Sequence, residues 1–280
     1  MTKKSIIGAF NIKEFGEKKF NNDDIMKIIV KILKRYDIVL CQEVYLSEEL
    51  IKQLVDKVST SSIPYSYVSS QPIGRSSYKE RYLYLYRSNK WNVLESYEIK
   101  KFCTKFFRVP YVARFQNIKK SRIRITLVGC HTRPGNAYKE IEVLVNNVYA
   151  DVKARLEKND ILSCLFNLLY CLRSSNNNEP IIIMGDFNAS GSYLNKTKQT
   201  ELDQILKNND LMWGICHSSD TTVASKRNAY DRFVFEVKNK KRSIGNTKIF
   251  KFDKILKNKK FSMLVSDHYL IEFELKLDIA

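Results

Sequence analysis

Apolar residues along this chain come in short runs that empty into polar clusters. The sharpest case is Ile181-Ile182-Ile183-Met184-Gly185-Asp186-Phe187-Asn188, four apolar residues followed by a glycine, an acid and an amide. A run of this length bounded by a polar turn predicts a buried strand whose far end carries side chains to the edge of the core. The pattern recurs. Residues 5–12 predict a strand that ends among Asn11, Lys13 and Glu14, and residues 37–43 one that ends on Gln42 and Glu43. Residues 122–128 alternate at period two and stop at Gly129-Cys130-His131. Two more strands are expected at 65–69 and 82–87, around the polar loop Gly74-Arg75-Ser76-Ser77-Tyr78-Lys79-Glu80-Arg81. The last two are expected at 230–237 and 268–277, where Ile271, Phe273, Leu275 and Leu277 alternate with Glu272, Glu274 and Lys276.

Between the strands the period changes to 3.6. Asn22-Asp23-Asp24 predicts a cap ahead of a helix bearing Ile25, Ile28, Ile29, Ile32 and Leu33. A second helix is expected at 46–58, and a third at 137–156, with Ile141, Leu144, Val145, Val148 and Val152 on one face. A more apolar helix follows at 161–172, then a loop, Ser174-Ser175-Asn176-Asn177-Asn178. Residues 238–260 are basic and glycine-poor and predict a surface excursion. Strand, helix, strand with acids at the strand ends is an α/β pattern. No internal repeat and no Pro/Gly/Ser-rich linker divides the chain, so one domain over 1–280 is expected.

Composition is consistent with that reading: 44 % hydrophobic and 12 % aromatic residues are enough for one sizeable core. Lys and Arg outnumber Asp and Glu by 48 to 30, a formal charge of +18, which favours a polyanionic partner such as nucleic acid or an anionic membrane. A lysine- and asparagine-rich composition also follows from genomic base bias, so charge supports such a partner without selecting it. The six cysteines, Cys41, Cys103, Cys130, Cys164, Cys171 and Cys216, stand singly, mostly in apolar stretches, with no C-x-x-C spacing and no histidine pairing. They read as buried free thiols rather than a zinc site or a dense disulfide framework. No stretch approaches the roughly 20 apolar residues of a membrane span, and Met1-Thr2-Lys3-Lys4 leads into Ser5-Ile6-Ile7 too briefly for a signal peptide. The chain as it stands is expected to be soluble.

The candidate chemistry lies at the strand ends. Of three histidines, His131 and His268 both stand there; His268 follows Ser266-Asp267, and Asp231 lies in Ala229-Tyr230-Asp231-Arg232 ahead of another strand. Asn11, Glu43, Asp186, Asn188 and Asp267 also fall at strand termini. Asp186 and Asn188, at i and i+2, share one face of an extended segment, where they can orient a water, a metal ion or a phosphate oxygen. Taken alone, that octapeptide fits a strand followed by an Asx turn equally well.

The stretches Ala9-Phe10-Asn11-Ile12 with Phe15-Gly16-Glu17, Gln42-Glu43-Val44, Pro72-Ile73-Gly74 through Tyr82, Phe107-Arg108-Val109-Pro110, His131-Thr132-Arg133-Pro134, Met184 through Ala189, Ala229-Tyr230-Asp231-Arg232 and Ser266-Asp267-His268-Tyr269 occur in one order over nearly the whole chain. In that order they resemble the deoxyribonuclease I family of the endonuclease/exonuclease/phosphatase superfamily. Gly185-Asp186-Phe187-Asn188 and Ser266-Asp267-His268 alone reach only the superfamily, which also holds phosphoinositide phosphatases and sphingomyelinases; the loop Ser77-Tyr78-Lys79-Glu80-Arg81-Tyr82 narrows the resemblance.

The resemblance implies a four-layer α/β/β/α sandwich of two packed mixed sheets, with a groove where the strand ends meet. It implies a monomeric, divalent-metal-dependent endonuclease that hydrolyses double-stranded DNA with low sequence specificity, leaving 5′-phosphate and 3′-hydroxyl ends. In that scheme His268 is the base, oriented by Asp231, and His131 is the acid, supported by Glu80. Glu43, with Asn11 and Asp267, holds the metal, and hard oxygen donors suit Mg²⁺ or Mn²⁺ rather than zinc. Asp186 and Asn188 orient water and phosphate, while Arg108, Tyr78, Tyr230 and Asn188 touch DNA. The alternative is a phosphoinositide or sphingomyelin phosphodiesterase or phosphatase of the same superfamily, and the third reading is a catalytically dead binding relative. The family is usually exported, and Met1 falls near where a mature exported chain would begin, so a secreted or cell-surface enzyme is expected, with an intracellular one as the alternative.

Several positions depart from the family pattern. Tyr45 stands where an arginine enters the minor groove, so a ring is available there to stack or wedge. Gly191 and Asn228 replace the cysteines of one disulfide, and Cys103 is what remains of another; losing such a crosslink costs roughly 2 to 5 kcal/mol in small secreted domains, which packing must offset. Of a calcium-binding loop, Asp220 and Thr222 match while Ala224 and Lys226 do not, so Ca²⁺ is expected to stimulate at most. Ser69 and Tyr111 alter the surface that binds actin, so weak or no actin binding is expected. Sequons occur at Asn195-Lys196-Thr197 and at Asn188-Ala189-Ser190, the second inside the candidate site.

Overall fold

The computed structural model describes residues 4–166, 179–224 and 226–277. Its strands are β1 (Lys4–Phe15), β2 (Ile38–Val44), β3 (Tyr65–Ser69), β4 (Arg81–Arg87), β5 (Trp91–Glu98), β6 (Tyr111–Asn117), β7 (Arg124–His131), β8 (Ile181–Asp186), β9 (Leu211–Trp213), β10 (Asp231–Glu236), β11 (Ile244–Phe250) and β12 (Leu270–Lys276). They form two six-stranded mixed sheets, ordered β11-β12-β1-β2-β4-β3 and β5-β6-β7-β8-β10-β9. Each sheet has one parallel pair near its middle, β1 with β2 and β7 with β8, among antiparallel neighbours. Parallel neighbours run out at the same edge of their sheet. Asn11 therefore arrives beside Gln42, and His131 beside Asp186.

Every central strand is covered on both faces, which explains why the run at 181–184 is apolar throughout rather than alternating. Ile7, Ala9, Leu40 and Tyr84 of one sheet pack against Phe115, Leu127, Ile182, Met184 and Phe233 of the other. The alternate residues Phe10, Ile12, Val39 and Cys41 face outward and lie with Ile29 and Leu33 of the helix Asp23–Leu33 and Ile51 and Leu54 of the helix Glu48–Val58. On the opposite side Val128, Cys130, Ile181 and Ile183 pack with Ile141, Leu144, Val148, Leu202 and Leu206. The result is the expected α/β/β/α sandwich. Asn22 caps its helix by accepting from the Ile25 N–H at 3.1 Å, and Ser47 accepts from Leu50 at 3.3 Å.

Four features differ from the sequence reading. β5, β6 and β9 were not expected, nor was the helix Lys196–Asn208. The segment 238–260, expected as a surface excursion, instead supplies the edge strand β11, and Ile244 and Phe252 in it are buried. An edge strand buries one face and exposes the other to lysines, so its apolar signal is halved. The helix expected at 137–156 runs on: Ala137–Val143 passes through a π turn at Leu144–Val148 into Tyr149–Phe166, without the expected break before residue 161. The remainder of the helix expected to 172 and the loop 174–178 lie outside the described residues. Of the cysteines, Cys41 and Cys130 are buried free thiols as expected, but Cys103 and Cys216 are exposed; the side chains of Cys164 and Cys171 lie outside the described residues.

Candidate active site

β8 lies between β7 and β10, and the register sets His131, Asp186 and Asp231 in a row across three strands. The fit is tight at Gly185. Its φ is +136°, and a Cβ built there would meet the Cys130 carbonyl oxygen at 2.2 Å and Gln42 Nε2 at 2.8 Å, so only glycine is tolerated. Glu43 and Asn188 also have positive φ, 56° and 48°, unusual for residues with side chains and common at working sites. Gln42 ties the two sheets together: its Nε2 donates to the Cys130 carbonyl at 2.7 Å and its Oε1 accepts from the Asp186 N–H at 3.1 Å. Sequence reasoning left Gln42 out of the site, and its only signal was an amide in an apolar strand.

The two imidazoles face one another. His131 Nδ1 is 2.9 Å from Glu80 Oε1, and its Nε2 points at Asp186 Oδ2 at 3.5 Å. His268 Nδ1 is 2.8 Å from Asp231 Oδ2, and its Nε2 points at the same Asp186 oxygen at 3.8 Å. Backbone bonds from Val223 to Asp267 and from Tyr269 to Thr221 hold the His268 segment in place. Both rings are buried, which pulls an imidazole down, but for His131 the Glu80 carboxylate, its hydrogen bond and Asp186 outweigh burial, and the ring is raised. For His268 the same contest, with Asp231 and Asp186 opposing burial, ends at about 10. Burial pushes the Asp231 carboxyl up against the pull of His268.

Glu43 completes the acidic side. Asn11 Nδ2 donates to Glu43 Oε1 at 2.9 Å and reaches Asp186 Oδ2 at 3.3 Å, while Glu43 Oε2 accepts from the Glu14 N–H at 2.8 Å. Asp267 is ion-paired with Lys13 at 3.0 Å and lies 3.9 Å from His268 Nε2. Two carboxylates converging on one N–H donor form an oxygen-rich gap of the kind a hard divalent cation fills. Asn11 would join such a cation through Oδ1 only after its amide turns over, because Oδ1 now accepts from the Lys13 N–H at 3.1 Å. Asp186, Asp231 and His268 also lie close enough together to hold a metal, but the Asp231–His268 hydrogen bond already occupies two of those ligand atoms. The Glu43–Asp186 gap fits a cation better.

Asn188 is buried; its N–H donates to Asp186 Oδ1 at 2.9 Å and its Nδ2 to the Thr132 carbonyl at 2.9 Å, so this sequon is closed to a glycan. Asn195 is exposed and caps its helix. Arg108 Nε lies 2.8 Å from Glu80 Oε2, and its buried Nη1 has no hydrogen-bond partner among the described residues. Aromatic rings lie beside Glu43 and Glu80 at one end of the cluster and beside His268 at the other. Tyr78, 69 % exposed, meets Tyr45 edge-on at 5.0 Å. Tyr230 meets Tyr193 at a tilt, with ring centroids 5.4 Å apart, and lies 6.2 Å from the His268 ring. Every residue expected at the site is thus gathered at one edge of the two sheets.

The sequence profile of the Endonuclease/Exonuclease/phosphatase family matches residues 9–233. Deoxyribonuclease-1 of Gallus gallus is 35 % identical over 280 residues, covering 96 % of this chain and 92 % of that protein. Deoxyribonuclease gamma of Homo sapiens is 32 % identical over 282 residues, covering 96 % and 85 %. This chain belongs to the deoxyribonuclease I family. Among solved structures, an endonuclease/exonuclease/phosphatase family protein from Bacteroides thetaiotaomicron superposes with a TM-score of 0.62 at 12 % identity, covering all of both chains, a likeness of fold.

Two departures from the family pattern have structural counterparts. Gly191, with φ +62°, lies against Asn228: a Cβ there would be 2.4 Å from Asn228 Oδ1. The two positions remain neighbours, joined by packing where the family pattern has a disulfide. In the Asp220 loop, Lys251 Nζ lies 3.3 Å from Asp220 Oδ2, and Thr222 Oγ1 bonds Asp220 Oδ1 at 3.0 Å and the Lys226 carbonyl at 2.8 Å. An ammonium from the chain itself thus neutralises the acid of that loop.

Proposed function

We propose that residues 1–280 act as one unit, a metal-dependent endonuclease that hydrolyses internal phosphodiester bonds of double-stranded DNA. The chain is a deoxyribonuclease. The observation that carries the mechanism is the convergence of two separately backed imidazoles on one Asp186 oxygen, at 3.5 and 3.8 Å. A phosphodiester seated there has one ring on the side of the attacking water and the other on the side of the leaving oxygen. His268, held by Asp231, takes the proton of the water. His131, held by Glu80, gives a proton to the departing 3′ oxygen, leaving 5′-phosphate and 3′-hydroxyl ends. Arg108 offers its free Nη1 to a phosphate oxygen, and Asn188 and Asp186 orient the phosphate and the water. Glu43, with Asn11 and Asp267 nearby, would hold a divalent cation, which when bound would supply positive charge to the phosphate oxygens. Tyr78, Tyr45 and Tyr230 contact sugar and groove, which carry little base information, so cleavage is weakly sequence dependent.

Supercoiled plasmid incubated with Mg²⁺ or Mn²⁺ is expected to be nicked, and chelator is expected to abolish nicking. Intact plasmid, together with phosphate or phosphocholine released from phosphoinositide or sphingomyelin, would overturn the assignment.

Calcium is expected to have little effect on stability, because Lys251 already neutralises Asp220. Millimolar Ca²⁺ should leave the melting temperature of the parent unchanged. Lys251→Gln should lower it by about 2 °C, the scale of a partly exposed ion pair, and make it respond to Ca²⁺. A clear Ca²⁺-dependent rise in the parent would contradict this.

A further inference from the structure

We infer that Arg232, held by His217 and Asp203, is the strut that fixes Asn188 and Asp231 relative to each other, and that His217 is a positioning residue for the reaction. Arg232 follows Asp231 directly and is fully buried. Its guanidinium donates from Nε to the Ala229 carbonyl at 2.8 Å, from Nη1 to the Ile215 carbonyl at 2.6 Å and from Nη2 to the Ala189 carbonyl at 3.4 Å. Ala189 is the residue after Asn188, and Ala229 lies two before Asp231. One side chain thus joins the turn that presents Asn188 to the start of the strand that presents Asp231.

A buried cation is costly unless it is paired, and burial pulls Arg232 down to about 10. Its pairing is indirect. Nη2 also donates to His217 Nδ1 at 3.0 Å, and His217 Nε2 lies 2.8 Å from Asp203 Oδ1, the oxygen that also accepts from Trp213 Nε1 at 2.8 Å. A guanidinium has no acceptor, so His217 must accept at Nδ1 and donate at Nε2, a neutral imidazole relaying the Asp203 carboxylate to the arginine. The Trp213 ring lies 5.1 Å from the guanidinium carbon and meets Phe187 edge-on at 5.5 Å. The cluster therefore backs directly onto the segment between Asp186 and Asn188. This is the third histidine of the chain, and proton transfer leaves it without a role.

The kinetic part of the test rests on the DNA-hydrolysis reading, and the exchange part does not. His217 is partly exposed, so its variants should fold. Plasmid-cleavage kinetics at saturating Mg²⁺ and backbone hydrogen exchange are measured for the parent, His217→Ala and His217→Gln. His217→Ala is expected to lower kcat about tenfold, the scale of removing a group that orients a working residue, with KM within about twofold. Exchange should quicken in peptides spanning 186–191 and 228–233 while exchange in β1 and β2 stays at the parent rate. Glutamine can accept from Arg232 and donate to Asp203, so His217→Gln should restore most of kcat and the slow exchange. Parent-like kcat in His217→Ala, or exchange that rises evenly over the whole chain, would overturn the strut. Absence of cleavage by the parent would overturn the nuclease reading instead, while the exchange data would still decide the strut.

Discussion

Alanine in place of either His131 or His268 is expected to lower kcat for plasmid cleavage at least about a hundredfold, the usual scale for losing a proton-transfer group. KM should change little, because neither ring is placed to grip the DNA. The double variant should be scarcely worse than the worse single one, since groups that act as a unit are strongly non-additive. The two losses can be told apart by the leaving group. A phosphodiester that departs as p-nitrophenolate needs no proton, so it should recover much of its rate in His131→Ala and none in His268→Ala. Equal recovery in both would remove the division into acid and base. Retention of more than about a third of parent activity by either variant would remove that histidine from the chemistry. Melting curves guard against trivial loss, because each ring sits at a strand end with its partner carboxylate rather than in the apolar layers.

The layers were legible where a local pattern sufficed. The run at 181–184, the strand ends at Glu43 and His131, and the cap at Asn22 all rest on nearest-neighbour chemistry, and each lies where expected; β1, expected to end by residue 12, instead runs on to Phe15 past an irregularity after Asn11. β5 and β11 were not legible, because each edge strand fully buries only its first residue, Trp91 or Ile244, and exposes Asn92, Leu94 and Ser96 in the one and Asn246 and Lys248 in the other. The helix Lys196–Asn208 buries only Leu202 and Leu206, too thin a stripe to register. At the site, local pattern gives only the types of the residues, and the pairing of His268 with Asp231 and of His131 with Glu80 is legible through the family resemblance alone. That Asp186 falls between His131 and Asp231, the partner of His268, follows from the register of three strands, and register is set by how whole faces pack. Gln42 and Arg232 were missed for the same reason. Apart from the Ala229 carbonyl that Arg232 Nε reaches three residues back, their partners lie on distant strands and loops, which no local pattern marks.

Asp231→Asn is expected to cost about a thousandfold in kcat at its plateau and to move the pH profile in a set direction. The cost follows from the tautomer. With the carboxylate in place, His268 keeps a proton on Nδ1 and a lone pair on Nε2 for the water; an amide at 231 can donate to Nδ1 and leave the proton on Nε2, where the ring is no base. The direction follows from charge. Burial lowers His268, and Asp231 with Asp186 more than reverses it, to about 10. A base works only when deprotonated, so activity should rise with pH through the His268 pKa, and removing the Asp231 charge should bring that limb to lower pH. Stability should shift with it. A group raised from about 6.5 when unfolded to about 10 when folded stabilises the fold fully below the first value, and that contribution is lost as pH rises through the second. Metal-free parent should therefore lose melting temperature across this window, while Asp231→Asn should stay flatter. A limb that stays put or moves to higher pH, or a variant as pH-sensitive as the parent, would mean that Asp231 does not govern His268.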